Sequence, residues 1–154
     1  MTGNPHFTRH VEAALTEFDF ATAHDDAGSA INALTFVGMA QRDLGDQPLA
    51  ATTEAAALKA RAADHPDLIA RAAANLDLPA TQRRGQDGLL DSLYARTGYQ
   101  LLLDMGTWPE PPLSDFHLGE VDDELAEAVA AAPPEVPPGI PPSHTWWRPL
   151  TPGT

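Results

Sequence analysis

His6 and His10 stand four residues apart, the spacing at which imidazoles on adjacent turns of one helix can reach a single metal ion. Glu17 falls on the same strip but two turns further on, beyond reach of that ion, while His24-Asp25-Asp26 could bring further ligands from a helix junction. His6, His10, His24 and Asp26 are therefore the candidate catalytic residues. The metalloprotease version of the pair needs Glu directly after the first His, where this chain has Phe7. The Glu-x-x-His of carboxylate di-iron bundles is absent as well. The pattern leads us to expect neither a metal nor another cofactor.

Other chemistry is thinner. His65, between Asp64 and Pro66-Asp67, suits an N-cap or turn. Asp115-x-His117-x-x-Glu120-x-Asp122 is rich in oxygen ligands but lacks the glycine and distal bidentate Glu of a calcium loop. Of the serines, Ser29, Ser92, Ser114 and Ser143, none sits in Gly-x-Ser-x-Gly, and neither a phosphate loop nor a dinucleotide glycine fingerprint occurs. With no cysteine, the chain has no disulfide, thiol nucleophile or cysteine-based metal site. Arg83-Arg84, the sole basic doublet, could receive a ligand's carboxylate or phosphate.

The carboxyl-terminal third carries a different signal. Pro134-Glu-Val-Pro137 and Pro138-Gly-Ile-Pro141 each fit the loose Pro-x-x-Pro form read by aromatic grooves, without the usual basic flank. Trp146-Trp147-Arg148 has the composition of an interface hot spot. Three roles stay open for it: docking on its own bundle, contact with another subunit or partner, or a lid over a ligand pocket. Asn32, Arg83, Arg84, Trp146 and Trp147 make up the candidate ligand-binding set.

The elements that must position these residues read as helices. Asn4-Pro5 starts a helix to about Thr22, with Phe7, Val11, Ala14, Leu15 and Phe18 on one face. Asp25 or Asp26 caps a second helix, which runs toward Leu44 and stops at Gly45. No charge occurs between Asp26 and Arg42, so this helix should be central, with Gly28 and Gly38 allowing close approach and Asn32 and Thr35 partly buried. A third helix is expected over Pro48–Ala63 and a short fourth through Leu68 to Leu76, ended by Leu78-Pro79. A fifth carries Leu89 to Met105 and closes at Gly106, and a last one spans about Glu120 to Ala131. Eleven of the fifteen prolines follow Gly106, and from Pro133 the chain cannot be helical. The expectation is an all-α bundle of five or six helices over residues 1–132, with a Pro-rich extended arm, 133–154, packed on its surface.

Charge narrows the partners. A net charge of −13 repels phosphate backbones and anionic membranes, and nucleic acid is not an expected partner. No stretch reaches the roughly 20 apolar residues of a spanning helix, and the amino terminus lacks the basic and apolar regions of a signal peptide. A cytoplasmic protein is expected, acting either as a non-catalytic interaction or assembly protein or as a small helical enzyme or ligand-binding protein. In the second case its interhelical pocket would be lined by His and Asp and covered by the tryptophan arm. A protein partner, self-association and a small-molecule ligand all stay open, and whether the chain is an enzyme is undecided.

Overall fold

The computed structural model describes residues 5–45, 47–64, 66–74, 86–131, 134–137, 139–140 and 144–147, with backbone alone for 86–89 and 145. Among them the chain is mostly helical, with six α-helices and no strand. Among the described residues no helix is long and apolar enough to cross a membrane. Arg83, Arg84, His65, Arg148 and the expected stop at Leu78-Pro79 lie outside the described residues.

Helix α1 (Pro5–His24) and α2 (Ala27–Leu44) form a hairpin through a two-residue joint. Asp25 takes the left-handed conformation there (φ 51°), and the Asp26 N–H returns to the Ala21 carbonyl. Asp26 caps α2, its Oδ1 accepting the Gly28 N–H at 3.0 Å and its Oδ2 the Ser29 hydroxyl at 3.1 Å. Gly45 ends α2 at φ 63°, donating its N–H to the Arg42 carbonyl. Phe7, Val11, Ala14, Phe18 and Ala21 form the buried stripe of α1.

The expected third helix is broken. A 3-10 turn, Leu49–Ala51, precedes extended Thr52, and α3 (Ala55–Ala63) begins only afterwards. Side chains compete for the backbone here: the Thr52 hydroxyl donates to the Leu49 carbonyl at 2.7 Å, and buried Gln41 accepts the Leu49 N–H at 2.8 Å while donating to the Gln47 carbonyl. Helix α4 (Pro66–Ala73) follows, burying Leu68, Ile69, Ala72 and Ala73.

Helix α5 (Gln86–Asp104) is buried continuously from Ser92 to Tyr99, so it shares the centre with α2. The crossing of the two is glycine-made on both sides. A methyl added at Gly38 would overlap the Tyr94 carbonyl oxygen, and one at Gly98 would overlap that of Leu34. Gly28 makes no such contact; a methyl there would meet only its own cap, Asp26. Thr35 is buried at the same crossing, donating to the Ile31 and Asp91 carbonyls, whereas Asn32 is exposed, against expectation, because it points away from α5. Gly106, at φ 75°, closes α5. Trp108 then stacks on Tyr99, ring centres 5.5 Å apart, and donates its Nε1–H to the Ala62 carbonyl of α3.

Helix α6 (Asp115–Ala131) starts five residues before the expected Glu120. Ser114 is the reason: its Oγ accepts the His117 N–H at 3.2 Å, the bond of an N-cap. Val121, Leu125 and Val129 are its buried edge. A final 3-10 turn, Thr145–Trp147, carries the two C-terminal tryptophans.

Candidate functional site

The four candidate catalytic residues do not converge. His6 is exposed on α1, and His24 is exposed against Phe20, ring centres 4.2 Å apart. His10 leans on Phe36, and its Nδ1 lies 2.5 Å from Asp43 Oδ2, near the C-terminus of α2. Asp26 is spent on capping the opposite end of that 18-residue helix. At 1.5 Å per residue the two ends are roughly 25 Å apart, so His10 and Asp26 cannot serve one reacting centre. Among the described residues no group of three or more His, Cys, Asp or Glu has the geometry to hold a metal ion.

A second constellation is assembled on α5. Arg96 is only 3% exposed, and its guanidinium is fixed by Asp122 of α6 in a two-point pair, Nε to Oδ1 at 2.7 Å and the terminal nitrogen to Oδ2 at 3.2 Å. Gln100 accepts a third hydrogen bond from it at 3.0 Å. The cation lies 4.0 Å from the centre of the Trp146 ring, against which His144 also stacks at 4.6 Å. Thr97 Oγ1 joins the neighbouring residues: it accepts the Trp147 Nε1–H at 2.8 Å and lies 3.1 Å from His144 Nδ1. Trp147, wholly buried, meets the Tyr94 ring edge-on, and the Tyr94 hydroxyl in turn accepts a hydrogen bond from Arg42. Burial, reinforced by the Arg96 charge and opposed by Asp104, pushes the His144 imidazole down to about 4.

Sequence reasoning named Trp146 and Trp147 but missed Arg96, Thr97 and His144. One signal was present. Arg96 is the only charge between Asp91 and Asp104, in the middle of a helix otherwise made of apolar, small and neutral polar residues.

The third region is the outer face of α6. This helix holds six carboxylates, Asp115, Glu120, Asp122, Asp123, Glu124 and Glu127, and no Lys or Arg. Asp122 is paired with Arg96, whereas Glu120, Asp123, Glu124 and Glu127 are exposed and have no ion pair among the described residues. Phe116, one turn before Glu120, is 74% exposed. A cleft of about 250 Å³ lined by His117, Glu120, Val121, Glu124 and Ala74 runs along one side of the helix. Another, of about 460 Å³, follows Asp123, Glu124, Ala126, Glu127 and Ala130.

No family model, curated protein or solved structure matches this chain. Its chemistry therefore rests on the three regions themselves. The α5 constellation is closed, and apart from the buried Trp146 Nε1, which has no hydrogen-bond partner among the described residues, its polar groups face one another, an arrangement suited to holding segments together. The α6 face is open, anionic and carries an uncovered aromatic ring, an arrangement suited to receiving a cationic surface with an apolar element.

Proposed function

We propose that this is a non-catalytic cytoplasmic interaction protein, an acidic helical bundle that uses the outer face of α6 to hold a basic segment of another protein. The observation that carries the reading is Phe116, 74% exposed at the head of an α6 strip on which Glu120, Asp123 and Glu127 follow at helical spacing. An aromatic anchor beside carboxylates that form no ion pair among the described residues complements a partner helix or loop with Lys or Arg around one apolar side chain. The C-terminal arm is, on this proposal, an internal clamp. Support comes from the burial of Ile140, Trp146 and Trp147 and from Gly139, where a methyl would collide with the backbone of Gln41 and Arg42. The arm's aromatic surface is then used within the chain, which leaves α6 as the partner-facing element. A His- and Asp-lined enzyme pocket draws less support, since His10 of α1 meets Asp43 near the C-terminus of α2 while Asp26 caps the N-terminus of that helix.

Zero-length carbodiimide crosslinking in host cells tests the proposal, because it joins carboxylates to lysine amines and this chain has a single lysine, Lys59. The expected product joins Glu120, Asp123 or Glu127 to lysines of one other protein, and it is lost in Phe116→Ser. Crosslinks spread evenly over the acidic surface, or unaffected by Phe116→Ser, would remove α6 as the binding face.

A further inference from the structure

The clamp invites a question that the α6 surface does not: whose arm fills the seat on α5. The seat is built without help from the arm. Arg96 is held by Asp122 and Gln100, and Tyr94 is held by Arg42, all groups of the helices themselves. It therefore presents the same cation, ring edge and Thr97 hydroxyl to any segment of matching sequence.

The arm's contribution is equally self-contained. Ile140, His144, Trp146 and Trp147 are each at least nine-tenths buried, and ring nitrogens of His144 and Trp147 both lie within hydrogen-bond distance of Thr97 Oγ1 of α5. Every one of these contacts is non-covalent and indifferent to which copy supplies the arm. Seven residues, Ala132 to Pro138, join α6 to the seated Gly139 and Ile140, and four of them are proline. Such a composition opposes a helix, and at about 3.1 Å per residue in the polyproline form it can span roughly 22 Å. That is about two helix diameters, enough to reach a bundle lying alongside. A stiff connector also lowers the effective concentration of the arm at its own seat whenever its length does not match the span.

We infer that two copies of this chain exchange arms at high protein concentration, Gly139, Ile140, His144, Trp146 and Trp147 of each seating on α2 and α5 of the other. The inference rests on the arm acting as a clamp and goes beyond it by naming a second copy as the occupant. Electrostatics sets an unusual condition. Each copy carries a charge of −13, so low salt opposes exchange and added salt favours it through screening.

Sedimentation equilibrium of the full-length chain over a wide concentration range, at low and high salt, is the test, with tryptophan emission recorded on the same samples. The mass is expected to rise from 16.4 kDa toward twice that value, more steeply at high salt, while emission stays blue-shifted. Trp147→Ala, which spoils the arm, and Arg96→Met, which spoils the seat, should each remain monomeric with helical circular dichroism. Mixed together they should recover a dimer, because one sound arm then meets one sound seat. Monomers at every concentration with shielded tryptophans would overturn exchange and leave the clamp standing. Emission typical of solvated indoles would overturn the clamp and exchange together. A dimer formed by Trp147→Ala alone would place the contact on another surface and overturn exchange.

Discussion

Acid should loosen this protein through one residue, His144. Its side chain is only 2% exposed, Arg96 lies on the same stack, and its pKa is pushed to about 4 from an ordinary 6.5. The charged groups around it are Arg96 and Asp104 of α5, with Asp122 of α6 neutralising Arg96 from the far side. The unfolded chain takes up the proton at about 6.5 and the folded chain does not. Stabilisation is therefore complete above pH 6.5 and falls by roughly 1.4 kcal/mol for each pH unit below it, until it is exhausted near pH 4. The whole effect is about 3 kcal/mol, and the share lost between pH 7.5 and pH 5 is about 2 kcal/mol. Urea melts at those two pH values, on the wild type and on His144→Gln, isolate it from the many carboxylates that titrate in parallel. The wild type should lose about 2 kcal/mol more than the variant. Equal losses, within about 0.5 kcal/mol, would mean that His144 is not buried as described.

Three further outcomes follow from packing and site geometry. Leu34→Ala, at a side chain with no exposure, should cost about 2 to 5 kcal/mol in denaturant melts, and half-buried Ile31→Ala clearly less; the reverse order would rotate α2 about its axis. Gly98→Ala should cost about 3 kcal/mol or more because α2 and α5 must separate, although the same change in an open helix gains about 1 kcal/mol, so a neutral variant would deny the close crossing. Elemental analysis should find no stoichiometric metal; one tightly bound transition metal per chain, lost in His10→Ala, would favour the enzyme reading.

Local features were legible in the sequence. The Asp26 cap, the Gly45 and Gly106 stops and the apolar stripe of α1 depend on residues within a turn or two of one another. The uncharged stretch of α2 correctly pointed to a central helix. What escaped was set by distance or by competition. The burial of α5 on every side follows from its crossing with α2, and its leucine-rich sequence alone gives no hint of Gly98 meeting Leu34. The break at Thr52 depends on Gln41, eleven residues earlier, taking over the backbone of the loop before α3. On α6 the acidic run was read as complementing the helix dipole, and only the placement of Phe116 outside the core gave it a second meaning. The α5 constellation joins residues 47 and 50 positions apart, and no periodicity in a single sequence marks such pairs.

Native mass spectrometry of the wild type and Phe116→Ser, each isolated from the protein's own host, tests most directly whether α6 binds a protein partner. The account predicts a stoichiometric complex with one other protein for the wild type, released by added salt and missing from the variant. A chain that retains a small molecule or a metal ion in place of a protein, or a complex that survives Phe116→Ser unchanged, would contradict it.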